Sequence, residues 1–206
     1  MEELDLLKKD WKKNQNFREV SEKEIYTMLH KKSSSIVKLI LIISVLEVAF
    51  WFLIGFLFDS EQYFKKLNNP YLVDFFNVFT IINYLVIAVF IYIFYKNYKN
   101  ICVVSSTKNL MKSIIKTRKT VNYYIWYNLG MIIIGTILGF ALAFNTDPNL
   151  MKLTEHNDSV FYIALIICFV SIVVMVGLFW LFYKLLYGIL LKKLFKNYNE
   201  LKKIDL

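Results

Sequence analysis

The sequence contains few of the residues from which catalytic and metal sites are usually built. Its 206 residues include only two histidines, two cysteines, two prolines and six glycines. No cysteine or histidine spacing resembles a zinc site, and there is no glycine-rich phosphate loop and no G-x-S-x-G motif. We therefore predict no catalytic residue, no metal and no cofactor, and we interpret Cys102 and Cys168 as small apolar fillers.

Charged residues are scarce in four long stretches, and these stretches indicate the class of protein. Over the whole chain 57% of the residues are hydrophobic and 17% are aromatic, with a mean hydropathy of +0.47. A helix needs about 20 apolar residues to cross the hydrocarbon core of a bilayer. The sequence therefore predicts an all-α polytopic membrane protein with four transmembrane helices in two hairpins, at 39–58, 72–95, 121–144 and 160–183.

The distribution of lysine and arginine predicts the orientation. Nine of these residues precede the first span, seven lie in 96–120 and six follow residue 183, whereas the other two links together hold three. Because basic residues are retained on the cytoplasmic side, both termini should be cytoplasmic. We divide the chain into a cytoplasmic N-terminal amphipathic segment (1–38), a four-helix transmembrane domain (39–183) and a basic cytoplasmic C-terminal helix (184–206).

The N-terminal segment carries two short apolar stripes at helical spacing. The second of its helices should start at Ser21, which has capping-box spacing to Glu24. An amphipathic helix that is too small to form its own core is suited to docking, either on a partner or on the protein's own inner surface. The docking residues that we single out are Leu4, Leu7, Trp11, Ile25 and Leu29.

Two other stretches, 107–119 and 185–203, combine an apolar stripe with several lysines. Such helices either lie flat in the inner interface, with lysines on anionic headgroups at about 1 kcal/mol each, or project into solvent. The expected partners are thus the lipid bilayer, with anionic headgroups at the inner face, and a soluble or membrane protein. Nucleic acid is not among them.

A single carboxylate, Glu47, lies near the middle of the first span. An acid at that depth costs about 2.5–3.5 kcal/mol and should face the bundle interior. Asn83 and Ser171 fall near the middles of the second and fourth spans, so we predict an intramembrane polar cluster of these three residues. Glu47 either hydrogen-bonds to Asn83 or Ser171 and fixes the helices together, or it binds a proton, a cation or a polar substrate group.

The third span contains a ridge of small residues, formed by Gly135, Gly139 and Ala143. Ridges of this kind let two helix backbones approach closely. The ridge predicts either helix packing within the bundle or the seam of a homodimer.

The opening "MEELDLLKKDWKK" and the following "SEKEIYTMLHKKSSSIVK" resemble an uncharacterised family of small bacterial four-span membrane proteins. Members of that family are sometimes labelled beta-carotene 15,15'-monooxygenase. The resemblance implies four spans and a location in the bacterial cytoplasmic (inner) membrane, and the label implies a carotenoid-cleaving activity. Carotenoid-cleaving enzymes rely on several histidines, whereas His30 and His156 are predicted on opposite sides of the membrane, so no catalytic residue is carried over.

Three functions are compatible with these residues. The first is a non-enzymatic regulator or accessory subunit that presents its N-terminal helix and basic inner face to a partner. The second is a small transporter or channel component that uses Glu47. The third is a membrane enzyme that acts on a lipid or a carotenoid. Because the sequence offers no catalytic motif, we rank them in that order.

Overall fold

The protein is built from long helices. The structure, a computed structural model, describes residues 21–57, 70–104, 106–146 and 158–204. Its helices are α1 (Glu22–Leu57), α2 (Pro70–Val103), α3 (Thr107–Thr146), α4 (Asp158–Tyr183) and α5 (Ile189–Ile204), and a π-helical segment (Lys184–Gly188) joins α4 to α5. These ranges contain no strand, which confirms the prediction of an all-α fold.

The starts of two helices follow from local chemistry. At α1 the Ser21 hydroxyl oxygen accepts a hydrogen bond from the Glu24 amide, and the Ser21 amide donates to the Glu24 carboxylate, both at 3.3 Å. This is the predicted capping box, in which each side chain accepts a hydrogen bond from the other residue's otherwise unpaired backbone amide. Helix α2 starts at Pro70, a position where the amide missing from proline would have had no partner within the helix.

The helices form an antiparallel bundle with two distinct ends. Each of α1, α2 and α3 packs against the next helix along the chain, and α5 packs between α1 and α3. We call the end that holds residues 22, 103, 107 and 204 the basic end, because most of the described lysines lie there. The opposite end, where α1 finishes at Leu57 and α2 begins, is the apolar end.

Side chains are packed tightly only in the part of the bundle nearer the basic end. One buried cluster includes Ile40, Phe94, Tyr124 and Tyr187, and the next cluster toward the basic end includes Leu29, Val37, Ile101, Leu110, Ile114, Leu194 and Leu201. The most apolar window of each long helix is, by contrast, only 0% to 17% buried. Four helices with exposed apolar windows of that length need a hydrocarbon surrounding. The protein is therefore a multi-pass membrane protein with four candidate spans.

The two basic stretches do not lie flat. Residues 107–119 belong to the same helix, α3, as the third span, and most of 185–203 belongs to α5. Their apolar stripes are buried inside the protein, since Leu110 and Leu194 are both fully buried. The expectation of an interfacial helix is thus wrong for both, because α1 and α2 offer them apolar stripes of their own to pack against.

The last long helix continues past the residue at which the fourth span was predicted to end. Lys184 follows Tyr183 without any break in the helix, and its ammonium group lies 4.5 Å from the centre of the Trp180 ring. A lysine can bend its long side chain along the helix and place the charge away from its own backbone. The apolar residues after it, up to Leu191, therefore extend the helix at the depth of the neighbouring spans.

Candidate intramembrane binding site

Glu47 is buried, and two tyrosines of the last long helix hold it. The Tyr183 hydroxyl donates to one carboxylate oxygen, Oε1, at 2.6 Å, and the Tyr187 hydroxyl donates to the other, Oε2, at 3.0 Å. Only 6% of the Glu47 surface is exposed. The expected bond to Asn83 or Ser171 is not formed. Since each carboxylate oxygen has its own donor, the orientation of the Glu47 side chain is fixed.

The two tyrosines that hold Glu47 lie four residues apart at the π-helical segment. Tyr183 directly precedes the segment Lys184–Gly188, and Tyr187 lies within it. Their rings stack with centroids 6.0 Å apart at an interplanar angle of 27°. Tyr124 of α3 meets both rings edge-on, at 6.4 Å and 6.0 Å. Edge-to-face and offset-stacked contacts are the favoured geometries for aromatic pairs. The three rings therefore form a rigid aromatic platform under Glu47, which we call the tyrosine platform.

Tyr183 lies deeper in the bundle than the predicted bounds of the fourth span imply. The fourth span predicted at 160–183 ends at Tyr183, directly before Lys184, and an aromatic residue at the end of a span is expected at the interface. Along α1, however, Glu47 lies nine residues from Lys38, and along the last long helix Tyr183 lies ten residues from Lys193. At 1.5 Å per residue these separations are about 13 and 15 Å, so Glu47 and Tyr183 lie at a similar depth. The apolar run "LLYGILL" after Lys184 is the signal that could have placed Tyr183 and Tyr187 inside the membrane.

A cavity of about 390 Å³ lies directly above the tyrosine platform, on the side toward the apolar end. All four membrane-spanning helices contribute to it, and Glu47, Tyr124 and Tyr183 form its floor. The walls are mainly apolar and aromatic, and their aromatic side chains are Trp51, Phe79, Tyr84 and Phe179. Trp51 and Phe179 close the wall between α1 and α4, with ring centroids 5.6 Å apart.

Two asparagines add polar groups to the cavity wall. Asn83 of α2 accepts a hydrogen bond at 3.0 Å from the hydroxyl of Tyr127, and Asn128 donates at 2.9 Å to the backbone carbonyl of Tyr124. Both asparagines line the cavity together with Glu47. Glu47 and Asn83, which the sequence analysis placed in one polar cluster, therefore line the same cavity. Their side chains are not hydrogen-bonded to each other.

Ser171 lies apart from this cavity. Its hydroxyl donates to the backbone carbonyl of Cys168 at 2.9 Å, within the same helix, and it is not among the residues that line the cavity. Along the helix it is 12 residues, or about 18 Å, from Tyr183. A serine that bonds back to its own helix needs no partner on another one. Ser171 should therefore be removed from the predicted cluster.

The small-residue ridge of α3 is not packed against another helix of the described chain. A Cβ atom placed on Gly135 or Gly139 would meet no atom within 4 Å. Packing of this ridge within the bundle is therefore wrong for the two glycines. The homodimer seam, which also includes Ala143, stays a prediction.

The N-terminal docking residues divide into two groups. Leu4, Leu7 and Trp11 lie outside the described residues. Leu29, in contrast, is only 3% exposed and Ile25 packs beside it, against the buried cluster at the basic end. The chain itself therefore covers Leu29, in agreement with the alternative of docking on the protein's own surface.

Side-chain bonds to α2 fix the same part of α1. The Tyr26 hydroxyl donates to the carbonyl of Val104 at 3.1 Å, and His30 Nε2 lies 2.7 Å from the carbonyl of Ile101. Because a carbonyl only accepts, Nε2 of His30 carries the proton. His30 is thus used in joining two helices. Within the described ranges no group of three or more potential metal ligands comes together.

Four long apolar helices around a buried carboxylate and a cavity define the class: an α-helical multi-pass membrane protein with an interior polar site. The chain belongs to a protein family described as a domain of unknown function (DUF8845), which it matches over residues 23–206. No curated protein and no solved structure matches it. The family match agrees with the expected uncharacterised family, and its description attaches no carotenoid-related activity to the chain.

Proposed function

We propose that this protein is a small transporter or channel component that binds an organic cation in the cavity above Glu47. The observation that carries the proposal is a single carboxylate at the floor of a cavity lined by all four spanning helices. Intramembrane carboxylates commonly mark the path of an ion or a substrate. Sites near the middle of the membrane, formed where helices meet, are also the usual location of transporter binding sites.

The size and lining of the cavity favour a small amphipathic solute. Its volume of about 390 Å³ falls in the usual range for small-molecule sites, roughly 300 to 1,000 Å³, and such sites are mostly apolar with a few placed polar groups. Glu47, Asn83 and Asn128 are the polar groups in this case. A solute with one polar or charged end and an apolar body would match both.

The charge and the aromatic walls favour a cation. None of the described lining residues is basic, and Glu47 is their only acid. Aromatic faces attract cations through their ring quadrupole, with a gain of roughly 0.5 to 2 kcal/mol, and Trp51, Tyr84 and Phe179 are available in the walls. An ammonium or phosphonium ion would thus supply the countercharge for Glu47 while its apolar groups contact the rings.

The cavity lies between the buried cluster and the apolar end, which suits a transporter in one of its conformations. Its lining residues run from Glu47 to Gly55 on α1 and from Ile87 to Phe79 on α2, in both cases toward the apolar end. Toward the basic end the buried cluster around Ile40, Phe94 and Tyr187 closes the bundle. Release on that side would require this cluster to open, as in alternating access.

Binding of tetraphenylphosphonium, a permanent organic cation, tests the proposal. We expect the purified protein in lipid nanodiscs to bind this cation, and we expect Glu47→Gln to weaken the binding at least tenfold. The glutamine amide oxygen can still accept from one tyrosine hydroxyl, and its amide nitrogen can donate to the hydroxyl oxygen of the other. Asp74→Asn is the matched control, because Asp74 is an exposed acid near the apolar end of α2 and does not line the cavity. Equal binding by Glu47→Gln and the unmodified protein would overturn the assignment.

Transport is tested separately in proteoliposomes. We expect cation uptake driven by a proton gradient, and we expect Glu47→Gln to abolish it. Uptake that is insensitive to Glu47→Gln would rule out Glu47 as the coupling group. Binding without uptake would identify the cavity as a receptor site rather than a transport site.

A second candidate function is a regulator or accessory subunit that presents the basic end to a partner. It is supported by the way α1, α3 and α5 extend beyond the apolar windows as one packed unit with lysines on its surface. Deletion of residues 1–20 tests it and keeps all of α1, which starts at Glu22 and contributes Leu29 to the core. If affinity capture from membranes gives the same partners with and without residues 1–20, the N-terminal residues are not the docking element.

A further inference from the structure

A groove lined by lysines lies between α1 and α5 at the basic end. It has a volume of about 560 Å³. Lys31 and Lys32 of α1 face it from one side, and Lys193 and Lys196 of α5 from the other. We call it the lysine groove. None of its residues lines the cavity above Glu47, so whatever binds in this groove is independent of the function proposed above.

The lysine groove has an excess of positive charge. Four ammonium groups line it, and Glu200 is the only acid among the described lining residues. In the described part of the chain none of these four lysines forms an ion pair. Like charges that share a groove repel each other, so an anion bound among them would be attracted by all four.

The wall of the lysine groove is held in place by a buried polar contact. Asn197, which is only 7% exposed, donates from its side-chain amide to the hydroxyl of Ser33 at 3.1 Å. This bond joins α5 to α1 directly beside Lys196 and Lys32. The spacing between the two pairs of lysines is therefore set by the packing of the two helices, so the groove is already formed before a ligand arrives.

The depth of the lysine groove matches the headgroup layer of a bilayer. Lys38 is the first charge before the apolar run of α1, and the groove residues Ser35 to Lys31 lie three to seven residues beyond it, about 4 to 10 Å along the axis. The headgroup region adds roughly 5 to 8 Å to each side of the hydrocarbon core. On the membrane side of the groove, Leu39 and Ile189 are exposed and apolar. Leu39 lies three residues after Ile36 on α1, and Ile189 lies four residues before Lys193 on α5, so each shares a helix face with that groove residue.

From this charge, shape and depth we infer that the lysine groove binds the phosphate headgroup of an anionic phospholipid, with the acyl chains lying against the apolar faces of α1 and α5. Basic pockets between membrane helices are known to suit such headgroups. A freely soluble phosphate compound shares the headgroup chemistry but gains nothing from the apolar faces beside the groove. A lipid therefore uses more of the surface than a soluble anion does.

Native mass spectrometry of the full-length protein with added phosphatidylglycerol or phosphatidylcholine tests this inference. We expect phosphatidylglycerol to bind at least tenfold more tightly than phosphatidylcholine. A variant in which Lys31, Lys32, Lys193 and Lys196 are all replaced by glutamine should lose at least tenfold of that affinity. The matched control replaces four other exposed lysines at the basic end, Lys96, Lys99, Lys112 and Lys116, none of which lines the groove, and should change the affinity less than threefold.

Two outcomes would overturn the inference. If the control variant loses as much affinity as the groove variant, the attraction is a general effect of the basic end and not a site. If glycerol phosphate displaces phosphatidylglycerol at equal concentration, the groove recognises a soluble anion. Should the fourfold variant fail to fold, Lys193→Gln with Lys196→Gln alone provides the test, and it should still lose at least threefold.

Discussion

At Glu47 the structure places two hydroxyl donors, one for each carboxylate oxygen, inside a membrane protein. The two bonds differ, since Tyr183 is at 2.6 Å and Tyr187 at 3.0 Å. Hydrogen bonds between membrane helices are worth about 0.6 kcal/mol on average, and up to about 2 kcal/mol. Because Glu47 is almost fully buried, removal of one donor leaves an oxygen that water cannot easily satisfy.

Tyr183→Phe and Tyr187→Phe test that arrangement. Each removes one hydroxyl and keeps the aromatic ring, so we expect the free energy of unfolding to fall by about 1 to 2 kcal/mol, with the larger loss for Tyr183 because its bond is shorter. Tyr92→Phe is the control, since 63% of Tyr92 is exposed. Unfolding in mixed micelles measures all three. A loss no larger than that of Tyr92→Phe would show that Glu47 does not depend on these donors.

Gly139 provides a test of the opposite kind, because nothing in the described chain lies near it. A Cβ atom there meets no atom within 4 Å, and alanine favours a helix over glycine by about 1 kcal/mol. We expect Gly139→Ala to leave the free energy of unfolding unchanged or to raise it by up to about 1 kcal/mol, as measured by the same unfolding experiment. A clear loss would mean that a second copy of the chain packs on this ridge.

At the scale of the helices, the sequence predicts what depends on neighbouring residues and fails where distant residues meet. The four spans follow from runs of apolar residues, and the start of α1 follows from Ser21 and Glu24, only three residues apart. The partners of Glu47, by contrast, are 136 and 140 residues away. Only the apolar run 185–191 indicates that the last long helix continues past Lys184. When the fourth span is ended at that lysine, Tyr183 falls at the interface.

The π-helical segment leads to a prediction about the rotation of α5 relative to α4. A π-helical turn contains more residues than an α-helical turn, so this segment acts as one extra residue in a helix. We expect deletion of Leu185, which is 65% exposed, to give a continuous α-helix that still buries Leu194 and Leu201. Insertion of one alanine after Leu185 should instead rotate α5 by about 100° and expose both leucines.

Thermal unfolding and size-exclusion chromatography distinguish the two variants. The deletion should keep a cooperative transition and a single monodisperse peak, whereas the insertion should lower the melting temperature and broaden the peak. Leu194 and Leu201 are both fully buried in the cluster at the basic end, so their exposure is expected to destabilise that end first. If the deletion is as damaging as the insertion, the π-helical turn is required for the position of Tyr187.

For the whole molecule, the unequal packing of the two ends determines where each kind of binding can occur. The basic end is closed by two buried clusters and carries the lysine groove on its surface. Toward the apolar end the helices leave the cavity above Glu47. Lysines at the basic end follow the pattern that retains a segment in the cytoplasm, and from this pattern we predict that the cavity opens away from the cytoplasm.

The two cysteines allow this orientation to be measured. Cys102 is exposed near the basic end of α2, and its sulfur lies 3.1 Å from the Ser34 hydroxyl, while Cys168 lies inside α4. In a Cys168→Ala background, a membrane-impermeant maleimide should not label Cys102 in intact cells and should label it once the cells are permeabilised. Adding Asp74→Cys to a variant that lacks both native cysteines supplies the control, because Asp74 is exposed near the apolar end and should be labelled in intact cells. Labelling of Cys102 but not of residue 74 in intact cells would show that the orientation is the opposite of the predicted one. A solute would then reach Glu47 from the cytoplasmic side.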